Sequence, residues 1–170
     1  MIHPLAVIGE PPEHRDYRPG MACYAPLISK TARVEALCTV DAGLDEPSRV
    51  GARSWLMKGV HVGHDAQIGE DCELAPHCSV GGHVKIGDRV RVGQGATFKP
   101  FVTVGDDARI GMGAVVVKDV PAGETWVGNP ARPLVKGKWT GTRMTEIEEQ
   151  GWDELATKME STLQYWQRMQ

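Results

Sequence analysis

The sequence predicts an all-β fold, a parallel β-helix of six-residue repeats followed by a C-terminal α-helix. Three observations predict it: a strict period of six in bulky aliphatic residues, glycines locked to that period, and few aromatic side chains. The chain has 170 residues, of which 20 are glycine. That share is roughly 12%, against about 7% in an average protein. Hydrophobic residues reach 41%, yet aromatics make up only 6% and phenylalanine only two positions. Such an apolar content can bury enough surface to offset chain entropy, which excludes a disordered chain. The glycines do not recur at every third place, which excludes collagen.

Residues 1–27 read as an irregular N-terminal segment. MIHPLAVIGEPPEHRDYRPG holds one hexad-like start, Ile8-Gly9, then a charged, proline-rich stretch. The repeat proper, expected over 28–135, opens with Ile28, Val34 and Val40, six apart, with Ala32, Cys38 and Leu44 four places after each. Four extra residues then break the register. The stretch 41–49, with Gly43, Pro47 and Ser48, is therefore expected to be a loop thrown out of the coil, passive rather than an acceptor contact.

From Val50 the period is uninterrupted. Leu56, Val62, Ile68, Leu74, Val80, Ile86, Val92, Phe98, Val104, Ile110 and Val116 follow at steps of six. Glycine follows the bulky residue at positions 51, 63, 69, 81, 87, 93, 105 and 111. Four places after each bulky residue stands a small or β-branched one, from Ser54 and Val60 to Ala114 and Val120. A period of six is neither helical nor a plain strand alternation. It suits a chain coiling in triangular turns of eighteen residues, with the bulky and the small residue of each side pointing inward. Adjacent coils then pair as parallel strands about 4.8 Å apart. In this reading the glycines supply the backbone angles of the corners. Cys38, Cys72 and Cys78 fall on small inward places and are expected to be reduced core residues.

Beyond Val116 the pattern changes. Val116 to Leu134, with its Pro and Gly punctuation, ends the coil. Residues 136–170 form a C-terminal extension. Thr145 and Glu148 resemble a capping box. Trp152, Leu155, Ala156, Met159, Leu163 and Trp166 follow helical spacing, so a packing helix is expected over about 146–168.

Lys and Arg number 19 against 22 Asp and Glu, a net charge of -3. Without clustered cations, nucleic-acid binding is not expected. No run approaches the length of a membrane span, and the first ten residues lack the pattern of a signal peptide, so a cytoplasmic protein is expected.

Among the six histidines, His64 is singled out by its company. Adding eighteen places it one coil below Gly82, beside Asp65 and under the pair Gly81-Gly82. An imidazole can take a proton near neutral pH, and an adjacent carboxylate can orient it and raise its basicity. A glycine N–H one coil up could face a developing oxyanion. Those are the parts acyl transfer needs. His61 and His77 are expected to be ordinary surface residues.

The stretch GVHVGHDAQIGEDCELAPHCSVGGHVKIG, residues 59–87, resembles left-handed β-helix acyltransferases. It is similar to acetyltransferases of bacterial nucleotide-amino-sugar and sialic-acid pathways, and to acyl-carrier-protein-dependent acyltransferases of lipid A synthesis. KDVPAGETWVGNPARPL, residues 118–134, resembles the acetyltransferase branch. The resemblance implies a left-handed coil and a homotrimer with the active site between neighbours. It implies a short acyl group carried by coenzyme A to an amine or hydroxyl of a sugar or nucleotide-sugar. His64 would be the general base, Asp65 its modulator and Gly82 the oxyanion donor. Gln94 and Met112 would line the groove for the donor, with Lys118, Asn129 and Arg132 as further contacts to acetyl-CoA. No metal is expected.

Two departures bear on this. The amino-sugar enzymes carry an N-terminal nucleotide-binding subdomain, for which residues 1–27 show no glycine-rich βαβ pattern. The lipid A enzymes carry a larger C-terminal helical domain. The alternatives are an acyl-carrier-protein-dependent N-acyltransferase of the lipid A type and a γ-type carbonic anhydrase-like zinc protein. Three-histidine zinc sites need a close pair plus one from a neighbour. His61/His64 and His77/His83 do not match the arrangement that family uses.

Overall fold

A computed structural model describes residues 1–12 and 14–134. The expected helix, with Thr145 and Glu148, lies outside the described residues. Within them the chain winds into three parallel sheets of strands two or three residues long. The first sheet stacks Val7–Ile8, Thr39–Val40, His61–Val62, Ser79–Val80, Thr97–Phe98 and Val115–Val116. Leu27–Ile28, Arg49–Val50, Gln67–Ile68, Lys85–Ile86 and Thr103–Val104 form the second. The third runs Arg33–Val34, Trp55–Leu56, Glu73–Leu74, Arg91–Val92, Arg109–Ile110 and Thr125–Val127, closed by the antiparallel Arg132–Pro133.

Register follows the eighteen-residue coil: Val62 pairs with Val80, Ile68 with Ile86, and Leu74 with Val92. Every bulky hexad residue from Val50 to Val116 is buried, and so is every residue four places later, from Ser54 to Val120. Each stacked aliphatic chain contributes roughly 1.5–3 kcal/mol by leaving water. Phe98 is the one aromatic residue inside the shaft over this run, and Trp126 fills the inward place of the third sheet's last parallel strand.

Three details differ from the sequence expectation. The first concerns glycine. From Val50 to Ile110 the left-handed backbone falls three places after each bulky residue, not one. Arg53, Gly59, Asp65, Asp71, His77, His83, Arg89, Gly95, Phe101, Asp107 and Gly113 all have φ between 54° and 69°. At most of these corners the N–H is held by a carbonyl of the coil before it, as in His83 to His64 (2.9 Å) and Phe101 to Gly82 (3.1 Å). The glycines directly after the bulky residues are there for closeness instead. A Cβ on Gly81 would lie 2.8 Å from the Phe98 carbonyl oxygen, and one on Gly93 would lie 2.5 Å from Met112 N.

The second concerns Leu44, which does not point inward. Ser48 takes the small core place below Ala66 and is fully buried. Leu44 belongs to the insertion, whose backbone N–H groups at Leu44, Asp45 and Glu46 reach Asp65.

The third concerns the N-terminus. Val7–Ile8 already pairs with Thr39–Val40, and Ile2 bridges to Val34. The first coil is therefore begun by residues 1–9 and resumed at Leu27. Residues 10–26 leave it at the corner between the first and second sheets. The insertion after Ala42 leaves the next coil at that same corner, and the third coil carries His64 and Asp65 there. Both excursions thus accumulate beneath one point on the prism.

Candidate active site

His64 and Asp65 occupy the corner that follows the strand His61–Val62. The His64 Nδ1–H donates to Asp65 Oδ2 at 2.7 Å. Asp65 is 1% exposed and, besides the imidazole, takes the backbone N–H groups of Leu44, Asp45 and Glu46 at 3.1, 2.8 and 2.7 Å. Burial pushes its carboxyl up, but the Glu46 N–H, the His64 imidazole and the Leu44 and Asp45 N–H groups outweigh this and hold it below the usual carboxylate range. An ionised carboxylate fixes the proton of His64 on Nδ1 and leaves Nε2 as an acceptor.

That free nitrogen faces Gly82. A Cβ on Gly82 would lie 2.5 Å from His64 Nε2 and 2.7 Å from Cε1, so the imidazole fits because position 82 has no side chain. Gly82 N–H has no backbone acceptor among the described residues. The eighteen-residue arithmetic therefore brings His64, Asp65 and Gly82 together.

The structure adds groups that spacing did not single out. His83 stands on Asp65, its Nε2 3.7 Å from Asp65 Oδ2 and 3.9 Å from Asp45 Oδ2. Its ring packs edge-on against His64 with centroids 5.0 Å apart, and stacks on Phe101 at 4.6 Å and 7°. Phe101 is 72% exposed. His14, from the first excursion, also packs edge-on against His64, with centroids 5.2 Å apart. A cavity of about 300 Å³ opens beside this cluster, lined by Glu46, Asp65, His83, Lys85, Phe101 and Thr103. Counting by eighteen does place His83 over Asp65 and Phe101 over His83. No periodicity could have brought in His14, because its segment leaves the repeat.

The remaining expected site residues divide. Lys118 lies on the same prism edge as His64 and Gly82, two coils above Gly82, and is exposed. Gln94 and Met112 stack on a different edge, between the third and first sheets, where Gly113 N–H donates to Gln94 O at 2.8 Å. Met112 is 79% exposed. Asn129 and Arg132 are exposed in the closing segment after Trp126. Within one chain these residues do not converge on His64.

The side chains of His64, Asp65 and His83 offer ligand atoms within 4.8 Å of one another. In this arrangement Asp65 already accepts the N–H groups of Leu44, Asp45 and Glu46, and His64 Nδ1 is bonded to Asp65 Oδ2. His61 is taken up elsewhere, 2.7 Å from Thr39 Oγ1. His77 packs over Gly59.

Residues 47–82 and 83–118 match the sequence model of the bacterial transferase hexapeptide, six repeats each. Over 108 residues the chain is 44% identical to a UDP-3-O-acylglucosamine N-acyltransferase from Maricaulis maris, covering 64% of this chain and 31% of that protein. Among solved structures it resembles the UDP-N-acetylglucosamine O-acyltransferase of Moraxella catarrhalis. There the TM-score is 0.75 at 30% identity, over 89% of this chain and 57% of that one. It also resembles the acetyltransferase domain of PglB from Neisseria gonorrhoeae in complex with acetyl coenzyme A. That likeness has a TM-score of 0.65 at 31% identity, over 78% of this chain and 56% of that one. A third likeness is to perosamine N-acetyltransferase from Caulobacter crescentus, a histidine-to-asparagine variant in complex with CoA and GDP-perosamine. Its TM-score is 0.61 at 28% identity, over 79% and 56% of the two chains. The chain thus spans about a third of the curated relative and a little over half of the solved ones. By its coil the chain is a left-handed β-helix, and residues 47–118 of it carry repeats similar to the bacterial transferase hexapeptide.

Proposed function

We propose that the protein is an acyltransferase. It moves an acetyl or other short acyl group from coenzyme A to an amine or hydroxyl of a sugar or nucleotide-sugar. The observation that carries this reading is the single arrangement of three residues: His64 Nδ1 tied to a buried carboxylate, with Nε2 open against Gly82. The solved relatives bound to acetyl coenzyme A, or to CoA with GDP-perosamine, support the choice of donor and acceptor class.

In this mechanism His64 Nε2 takes the proton of the acceptor as its nitrogen or oxygen attacks the thioester carbonyl. The new C–N or C–O bond forms as the carbonyl π electrons move to oxygen, which faces the Gly82 N–H. Asp65 stabilises the imidazolium. Collapse breaks the C–S bond, and His64 returns its proton to the departing thiolate. Gln94 and Met112, on another edge, serve the donor from a neighbouring subunit of a homotrimer, with Lys118, Asn129 and Arg132 contacting acetyl-CoA. The place of action is the cytoplasm.

A second reading keeps the chemistry and changes the donor to a longer acyl chain on a carrier protein. The 44% identity to a UDP-3-O-acylglucosamine N-acyltransferase favours it. The test is release of free thiol from acetyl-CoA and from acylated carrier protein, each with a panel of amino-sugar and nucleotide-sugar acceptors. Acceptor-dependent release from acetyl-CoA supports the first reading. Release from the acylated carrier alone replaces it with the second, and release from neither refutes both.

A further inference from the structure

We propose that the insertion Leu44–Pro47 is the positioning element of the His64–Asp65 pair. It grips the Asp65 carboxylate through backbone N–H groups and so aims Oδ2 at His64 Nδ1. The proposal rests on the acyl-transfer reading for its kinetic consequence, but not for its structural one.

A carboxylate on a short side chain can rotate, and a base oriented by a rotating carboxylate is poorly oriented itself. Here rotation is blocked. Oδ1 takes Leu44, Asp45 and Glu46 N–H at 3.1, 2.8 and 2.7 Å, and Oδ2 shares the Leu44 N–H at 3.1 Å while accepting from His64. Three successive backbone donors form a concavity suited to an anion. The insertion is itself fixed at both ends. Gly43 exchanges two hydrogen bonds with Tyr24, at 2.8 and 2.9 Å, and Gln67 Nε2 donates to the Pro47 carbonyl at 3.0 Å and to the Asp65 carbonyl at 3.2 Å. Gly43 is needed for the turn to close. A Cβ there would collide with the Glu46 carbonyl and come within 3.1 Å of Asp65 Oδ1.

The shaft does not need these residues. Val40 and Val50 pair with Val62 and Ile68 as any hexad neighbours do, although ten positions separate them instead of six. Removing Leu44–Pro47 would restore the six-residue step. It would also set Gly43 at the corner place that elsewhere has positive φ, and leave Ser48 in its core place. The extra residues are thus spent on Asp65.

The experiment compares the wild type with the Leu44–Pro47 deletion and with Gly43→Ala, each checked for cooperative thermal unfolding. We expect kcat to fall at least about tenfold in both variants, with KM for acetyl-CoA within about twofold. Two readouts need no turnover. Ring 15N shifts should show His64 held as the Nδ1–H form in the wild type and as a mixture in the variants. The Asp65 carboxyl, followed by 13C titration, should move upward in the variants. Should the wild type prove inactive with every thioester, the acyl-transfer reading fails while these two signals still judge the insertion. Folded variants with unchanged ring shifts and an unchanged carboxyl titration would overturn the proposal. So would failure of both variants to fold, since the insertion would then belong to the shaft.

Discussion

The imidazole of His64 occupies the space that a Cβ on Gly82 would need, with Nε2 only 2.5 Å from that point. The two residues are one coil apart, so the base and its glycine are set by the stacking of the solenoid itself. Gly82→Ala is therefore expected to displace the ring. We predict a loss of kcat on the order of 100-fold or more, with the unfolding midpoint lowered by only a few degrees. Steady-state kinetics beside thermal denaturation check this. Full activity in the alanine variant would contradict it.

Asp65 gives a pH-dependent prediction. Its carboxyl is held below the usual range in the folded chain, where hydrogen bonds from Glu46, His64, Leu44 and Asp45 outweigh burial. A depressed carboxyl adds stability that is complete above its unfolded value of about 3.9 and fades as pH falls through the folded value. Asp65→Asn should thus be less stable than wild type at neutral pH, with the gap narrowing below about pH 4. Denaturant unfolding of both proteins from pH 7 to pH 3 measures the gap. A constant difference would show that the carboxylate charge is not what stabilises the corner.

The cysteines should be inert in the native state with one exception. Cys38, Cys72 and Cys78 are buried, and burial raises all three thiols, that of Cys78 to about 11. Cys23 is only half-buried, its Sγ 3.8 Å from the Met21 carbonyl. Titration with a disulfide reagent should modify one thiol of four rapidly, and the rest only on unfolding. Rapid reaction of two or more would contradict the packing described.

Leu37 sits at a corner with φ 63° and is 65% exposed. A branched side chain there is strained and gains little burial. Leu37→Gly is expected to raise stability by about 0.5–1 kcal/mol. Urea unfolding would show it, and a destabilised variant would mean that Leu37 packs on a surface absent from a single chain.

The shaft was legible because its physics is periodic. One position in six must be bulky and one must be small or β-branched, and the run from Val50 to Val120 satisfies both without exception. The pair His64 and Gly82 could be found for the same reason, since a coil of eighteen turns sequence distance into stacking. Glycine's role was misassigned because a glycine that relieves crowding and one that permits positive φ look identical in a sequence. Gly81 does the first and Gly95 the second. The insertion after Ala42 was visible only as a break in register, since backbone N–H donors carry no residue signature. His14 was out of reach altogether, because an excursion of the chain between Gly9 and Leu27 obeys no period.

The most direct measurement of the central claim is acceptor-dependent thiol release from acetyl-CoA by wild type and His64→Ala at equal concentration. The account predicts that the variant unfolds at a temperature close to wild type yet turns over at least about 100-fold more slowly. A folded His64→Ala protein with undiminished turnover would contradict it.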